Sequence, residues 1–246
     1  MMFSQILKKL LKQCGYTIYR NSDLPFGWNL QQDINRISPD LKIKTIFDVG
    51  ANKGQTTLKY RQMFNEADIY SFEPVKASFD QFQQNTKLLS QIFCFNLALG
   101  ANNGQEEILV QGTSGSNSIN NKSITGSLET VEIITLDNFI LEREQTISQI
   151  DLLKIDTEGF ELQVLEGAKS TLQDGKILYI FIEVTFRPED TQHTQFIDIY
   201  HFLQKYNFNL IALYDCYPYW GGGNAIDYSN ALFKRWEKGK NLQLWQ

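Results

Sequence analysis

Apolar and polar positions along the chain follow two alternating rhythms. Short apolar, β-branched runs predict strands at Thr45–Val49, Ile69–Phe72, Ile92–Leu97, Ile150–Ile155 and Lys176–Val184. Between them, apolar residues recur at helical spacing and predict helices over Thr56–Phe64, Ala77–Leu89, Phe160–Leu172 and His193–Tyr206. Phe79, Phe82 and Leu88 or Leu89 are expected to face inward from the second helix. Leu162, Leu165, Ala168 and Leu172 do the same from the third. Glu106–Val110 and Thr130–Thr135 read as further strands. Asp137 is expected to cap a short helix over Asn138–Arg143. Phe208–Tyr214 and Ala231–Trp236 read as the last two strands, flanking an aromatic and glycine-rich insertion from Asp215 to Ser229. This alternation predicts an α/β fold with helices packed on a mostly parallel sheet.

Two helices precede the first strand. Phe3–Gln13 is amphipathic, with Phe3, Ile6, Leu7, Leu10 and Leu11 on one side and three lysines on the rest, and Gly15 ends it. It is expected to dock on the domain or on a second copy rather than on a membrane surface. Leu30–Ile37 forms the other helix, stopped by Pro39. Residues 1–40 therefore read as an N-terminal helical cap folding over the mouth of the sheet, and 41–246 as one domain.

Composition narrows the class. The 246 residues carry a net charge of −5, so no basic surface invites nucleic acid. Cys14, Cys94 and Cys216 are far apart, without metal-ligand or disulfide spacing, which fits a reducing, cytoplasmic setting. No apolar run approaches a membrane span, and the start lacks the features of a signal peptide.

The chemistry gathers at the first strand's end. Asp48-Val49-Gly50-Ala51-Asn52-Lys53-Gly54 joins strand to helix, and glycines there let a ligand approach the backbone. The helix start offers free N–H groups to an anion. A dinucleotide turn has three glycines. Only Gly50 and Gly54 stand here, behind an acid that repels a pyrophosphate and suits a cation. S-adenosylmethionine (SAM), with its sulfonium and ammonium, is such a ligand. Glu73 ends the second strand roughly 20 residues on, where an acid reaches ribose hydroxyls.

Together with Phe72-Glu73-Pro74, Leu136-Asp137 and Lys154-Ile155-Asp156-Thr157-Glu158-Gly159, that turn resembles the FkbM-type family of SAM-dependent methyltransferases over roughly Ile43 to Glu183. The resemblance implies a class I methyltransferase fold, an α/β fold with a mostly parallel seven-stranded sheet and helices on both faces, and O-methylation of a sugar or secondary metabolite. It implies cofactor contacts from Asp48, Gly50, Ala51, Asn52, Gly54, Gln55, Thr56, Glu73, Pro74 and Asp156. Asn96, Leu97 and Ala98 follow beside the adenine, and Ser118 lies in a serine-rich loop near the cofactor.

A hydroxyl acceptor must lose a proton, which calls for a base near the methyl group. Asp156 is the first candidate, then Glu158 and Glu183, with Lys154 holding Asp156 ionised or touching the acceptor. His193 is a further acceptor contact. Tyr217, Tyr219 and Trp220 offer flat faces for a sugar or ring, and Gly221–Gly223 let that wall move. The converging carboxylates suit Mg²⁺, but no spacing demonstrates a metal site, so none is assigned. A non-catalytic SAM-binding scaffold and an NAD-dependent oxidoreductase are the alternatives; the missing third glycine and Asp48 argue against the second. The amphipathic start leaves a homodimer open.

Overall fold

The computed structural model describes residues 9–20, 23–110, 127–143, 146–218 and 225–236. Its main sheet contains β1 (Thr45–Val49), β2 (Asp68–Phe72), β3 (Ile92–Phe95), β7 (Ile150–Ile155), β8 (Ile177–Thr185), β9 (Phe208–Pro218) and β10 (Ile226–Arg235). The order is β3-β2-β1-β7-β8-β10-β9. Pairings from β3 through to β8 are parallel, and β10 runs antiparallel to both its neighbours. A small second sheet joins β4 (Ala98–Leu99), β6 (Ser127–Ile134) and β5 (Gly104–Val110) in that order. Residues 9–13 are helical, the part of the expected Phe3–Gln13 helix that lies within the described residues. Further helices are α1 (Leu30–Ile37), α2 (Gln55–Met63), α3 (Lys76–Thr86), α4 (Leu136–Leu141), α5 (Glu161–Glu166), α6 (Lys169–Gln173) and α7 (Phe196–Gln204). Chain order reverses between β1 and β7, and a crevice opens at the carboxyl ends of strands at such a point.

Pleating divides the core. Phe47, Leu153 and Ile180 pack with Phe139, Leu165 and Leu203 on one side of the sheet. Ile46, Leu152 and Tyr179 pack with Leu30, Ile34 and Tyr60 on the other. All six residues of β7 are buried, as a strand covered on both faces requires. Burying each such large apolar side chain contributes about 1.5–3 kcal/mol.

That second core determines where the leader goes. Asn29 caps α1 by accepting from the Gln32 amide at 2.9 Å. Leu30 and Ile34 then bury against the sheet face. Asp33, itself buried, accepts from the Gly27 amide at 2.8 Å and from the Tyr214 hydroxyl at 2.6 Å. The expected cap over the mouth of the sheet is thus corrected: α1 covers a face, because that is where an apolar stripe finds apolar surface.

Other expectations need amendment. The helix expected over Phe160–Leu172 is two, α5 and α6, broken at Gly167. A Cβ on Gly167 would lie 2.0 Å from the Gly100 carbonyl, so two backbones touch there. Thr135, not Asp137, caps α4, accepting from the Asn138 amide at 3.1 Å. Asp137 instead accepts from the Ser170 and Thr171 amides and serves α6 across the fold. Leu88 and Leu89 lie beyond the end of α3 and are exposed. Much of the expected insertion at Asp215–Ser229 is hairpin, since β9 continues to Pro218 and β10 starts at Ile226. No helix among the described residues is long and apolar enough to cross a membrane.

Candidate functional site

The turn after β1 is held by its own backbone and by Glu73. Gly50, Asn52 and Gly54 all have positive φ, at 79°, 49° and 88°. A Cβ on Gly50 would stand 1.8 Å from the Asp156 carbonyl oxygen, so glycine is the residue this crossing of β1 and β7 admits. The Glu73 carboxylate takes the Asn52 amide at 2.8 Å and the Val75 amide at 2.9 Å. Burial pushes its carboxyl up to about 7, against the pull of those two N–H groups.

Beneath the turn lies a buried charge network. Lys154 on β7 reaches Asp48 on β1 at 3.1 Å and Asp156 at 3.3 Å, and donates to the Gly50 carbonyl at 3.2 Å. The Thr57 hydroxyl donates to the other Asp48 oxygen at 2.6 Å and sits 2.9 Å from the Ser71 hydroxyl. Burial alone lowers an ammonium's affinity for its proton. The two carboxylates outweigh burial, so Lys154 is held well above its ordinary value. It is a fixed cation, not a base.

These elements border a cleft of about 310 Å³. Among the residues that line it are Gly50, Ala51, Asn52, Gln55, Thr56, Glu73, Pro74, Leu97, Ala98, Ile108, Lys154, Asp156, Glu158 and Phe160. Of the residues expected at the cofactor, three do not reach this wall. Asp48 is fully buried on Lys154 and Thr57. Gly54 lies against the Phe82 ring. Asn96 turns inward, donating to the Glu73 and Pro74 carbonyls at 2.9 and 2.7 Å. It holds the end of β2 rather than facing a ligand. Ser118 lies outside the described residues.

A second cleft, about 300 Å³, shares Glu158 with the first. Glu161, Glu183, Arg187, Asp190, His193, Asp227 and Tyr228 are among its walls. The His193 ring is 3.5 Å from Glu158 through Nε2 and 2.8 Å from Asp190 through Nδ1. The hydrogen bond to Glu158 is the main cause, and with Asp190 it raises His193 to about 9 despite partial burial, so the ring is cationic at neutral pH. Arg187 stands 3.5 Å from Asp227. Glu183 is pushed up to about 8, first by burial and then by the charges of Asp156, Glu158 and Glu161. Tyr217 does not line the cleft. It stacks at 4.7 Å on Tyr228, which does. Tyr219 and Trp220 lie outside the described residues. Among the described residues no cluster of His, Cys, Asp and Glu is arranged to hold a metal ion.

Sequence reasoning did not reach Thr57, Phe160, Glu161, Asp190 or Tyr228. Glu161 carried a signal, since an acid three residues past Glu158 shares its turn. Asp190 and Phe160 did too, three residues before His193 and one after Gly159, whereas Thr57 and Tyr228 meet the site through pairings farther along the chain.

The architecture and both clefts invite comparison with known proteins. A family model described as the methyltransferase FkbM domain matches residues 48–210, more than half of the chain. The 2-O-methyltransferase NoeI of Sinorhizobium fredii is 24% identical over 152 residues, covering 54% of this chain and 61% of that protein. The hexuronic acid methyltransferase AglP of Haloferax volcanii is 25% identical over 146 residues, covering 59% and 58%. This chain thus spans about three fifths of the length of these curated relatives. Among solved structures, a putative rRNA-methylase from Clostridium thermocellum aligns over 88% of this chain and 100% of that one, with a TM-score of 0.48 and 9% identity.

Proposed function

The chain belongs to the FkbM methyltransferase family, and from that we propose that it transfers a methyl group from SAM to a hydroxyl of a sugar or similar small molecule. One observation carries the reading. A glycine turn and a strand-end carboxylate line one cleft, and Glu158 joins that cleft to a second, polar one. The first has the size of a small-ligand pocket, which starts at about 300 Å³. Glu73 would hold the ribose hydroxyls with the lone pairs its two backbone donors leave over. Gly50 lines the same cleft where its backbone meets the Asp156 carbonyl, a contact that a Cβ would block. When bound, SAM supplies a methyl group already activated on a sulfonium. The protein's tasks are then to align the acceptor, exclude water and take up its proton.

We assign the second cleft to the acceptor, with Tyr228 backed by Tyr217 as its aromatic wall. Glu183 is the proposed base, ahead of Asp156. Its carboxyl, raised to about 8, binds a proton more tightly than an ordinary carboxylate and is free to accept one as pH rises toward 8, whereas Asp156 is tied to the Lys154 ammonium. We keep residues 1–40 as a helical segment attached to one catalytic domain over 41–246, supported by the packing of Leu30 and Ile34 into its core.

The test is calorimetry with SAM, followed by labelled methyl transfer to a panel of glycosides. No SAM binding, or no transfer to any hydroxyl, rejects the reading. Three further outcomes are expected. Glu73→Ala weakens SAM binding about 10- to 100-fold, as losing charge-assisted hydrogen bonds should. For the parent protein the affinity falls as pH drops through about 7, where Glu73 takes up a proton. Among acceptors, neutral glycosides are turned over roughly tenfold better than uronates, since Glu158, Glu161, Asp190 and Asp227 outnumber the cations Arg187 and His193 in this cleft and repel a further carboxylate. A uronate preference in the panel would reverse that assignment of charge.

A further inference from the structure

The turn that follows β7 is strained and yet fixed. Glu158 has φ 54° and Gly159 φ 100°, two successive residues in left-handed space. A non-glycine residue there is strained and persists only where its surroundings over-determine it. Glu161 is the group that does so. It is 1% exposed, a carboxylate kept from water and therefore in need of donors. Its Oε1 accepts from the Thr157 amide at 2.8 Å, the Thr157 hydroxyl at 3.1 Å and the Gly159 amide at 3.2 Å. Its Oε2 accepts from the Thr194 hydroxyl at 2.5 Å. One carboxylate thus bridges the turn bearing Glu158 and the loop bearing His193. The two segments also touch directly, for a Cβ on Gly159 would stand 1.8 Å from the Gln192 carbonyl. The Thr194 carbonyl, which accepts from the Thr185 amide at 2.9 Å, anchors that loop to the end of β8 beside Glu183.

We propose that Glu161 is a positioning residue for methyl transfer: it clamps the Glu158 turn to the His193 loop, so that Glu158 and His193 meet where the two clefts join. This rests on the assignment of the second cleft to the acceptor, but the clamp is measurable without any acceptor or SAM.

His193 reports on it. The charged groups around its ring are Asp190 and Glu158 in direct contact, with Glu161, Glu183, Arg187 and Asp227 along the same cleft. The chain has only two histidines, and His201 is exposed on α7, so histidine NMR gives one probe and one internal control. In the parent protein His193 should titrate near 9. In Glu161→Ala the turn loses its anchor, and the midpoint should fall by about one pH unit or more toward the ordinary value near 6.5, with Asp190 still holding the other nitrogen. Glu161→Gln retains one acceptor oxygen for the turn and should restore most of the parent midpoint. Adding Glu158→Gln to Glu161→Ala should lower the midpoint no further, because the two changes remove one contact. Thr194→Val cuts only the link between the loops, so it gives a smaller fall in the same direction and serves if Glu161→Ala fails to fold. SAM affinity by calorimetry should stay within about twofold in Thr194→Val, whose side chain lines only the second cleft. A His193 midpoint unchanged in folded Glu161→Ala, or in Thr194→Val where the alanine variant does not fold, overturns the proposal. Loss of SAM binding in parallel with the midpoint would reduce Glu161 to a general support of the fold. Absence of SAM binding in the parent protein, with the midpoints moving as described, would instead reject the methyl-transfer reading and leave the clamp standing.

Discussion

Lys154→Met should destabilise the fold by roughly 3–5 kcal/mol, the cost of leaving a buried charge without its partner. Asp48 has no exposed surface, and its carboxylate depends on Lys154 at 3.1 Å and Thr57 at 2.6 Å. Methionine fills much the same volume but donates nothing, so the carboxylate must either take up a proton or draw water into the core. For a chain of this length the change reads as a melting temperature lowered by roughly 6–20 °C. Urea unfolding at pH 7 measures it. Asp48→Asn combined with Lys154→Met should regain at least half of the loss, because breaking a buried pair costs more than replacing it. Equal stability of Lys154→Met and the parent would mean that Asp48 is not buried in its ionised form.

Glu183→Gln should cut turnover by about 10²- to 10⁴-fold, the usual contribution of a general base, with SAM affinity little changed. The pH profile carries the sign. Burial and the neighbouring carboxylates raise Glu183 to about 8, so below that pH it holds a proton and cannot accept another. The parent rate should therefore climb with pH, level off above about 8, and lose this dependence in Glu183→Gln. Asp156→Asn should cost less, since Asp156 chiefly balances the Lys154 ammonium at 3.3 Å. If Asp156→Asn proves the deeper loss and Glu183→Gln keeps the rising profile, the base is Asp156. The raised value also bears on stability. A group that holds its proton more tightly folded than unfolded stabilises the fold at low pH. Its contribution fades as pH rises from the ordinary carboxyl range toward about 8.

Legibility in the sequence followed how local each cause is. Strand β1 and the Gly50–Gly54 turn could be read because apolar runs and glycines act on their own neighbourhood. Helix α1 matched its expected span for the same reason, with Asn29 as cap and Pro39 as stop. The division of α5 from α6 could not be read, because the contact of Gly167 with Gly100 joins residues far apart in the chain. Nor could the true partner of Asp137, which looks like a local cap and serves another helix. At the site, the sequence brought forward Glu73, Asp156, Glu158, Glu183 and His193. It assigned Asp48 to the ligand, because an acid beside a glycine turn carries no mark of the lysine that neutralises it from the neighbouring strand.

By itself, then, the sequence determined the alternation of strands and helices, the glycine turn and the acid at the end of β2, since these depend on spacing and on residue chemistry within a few positions. Which carboxylates face a cleft and which are consumed within the core follows from pairings between segments far apart in the chain. Parallel pairing sets Asp48 opposite Lys154, and Glu161 ties the turn after β7 to the loop before α7. A carboxylate's role follows from what surrounds it, and its surroundings come from segments that meet only when the sheet forms.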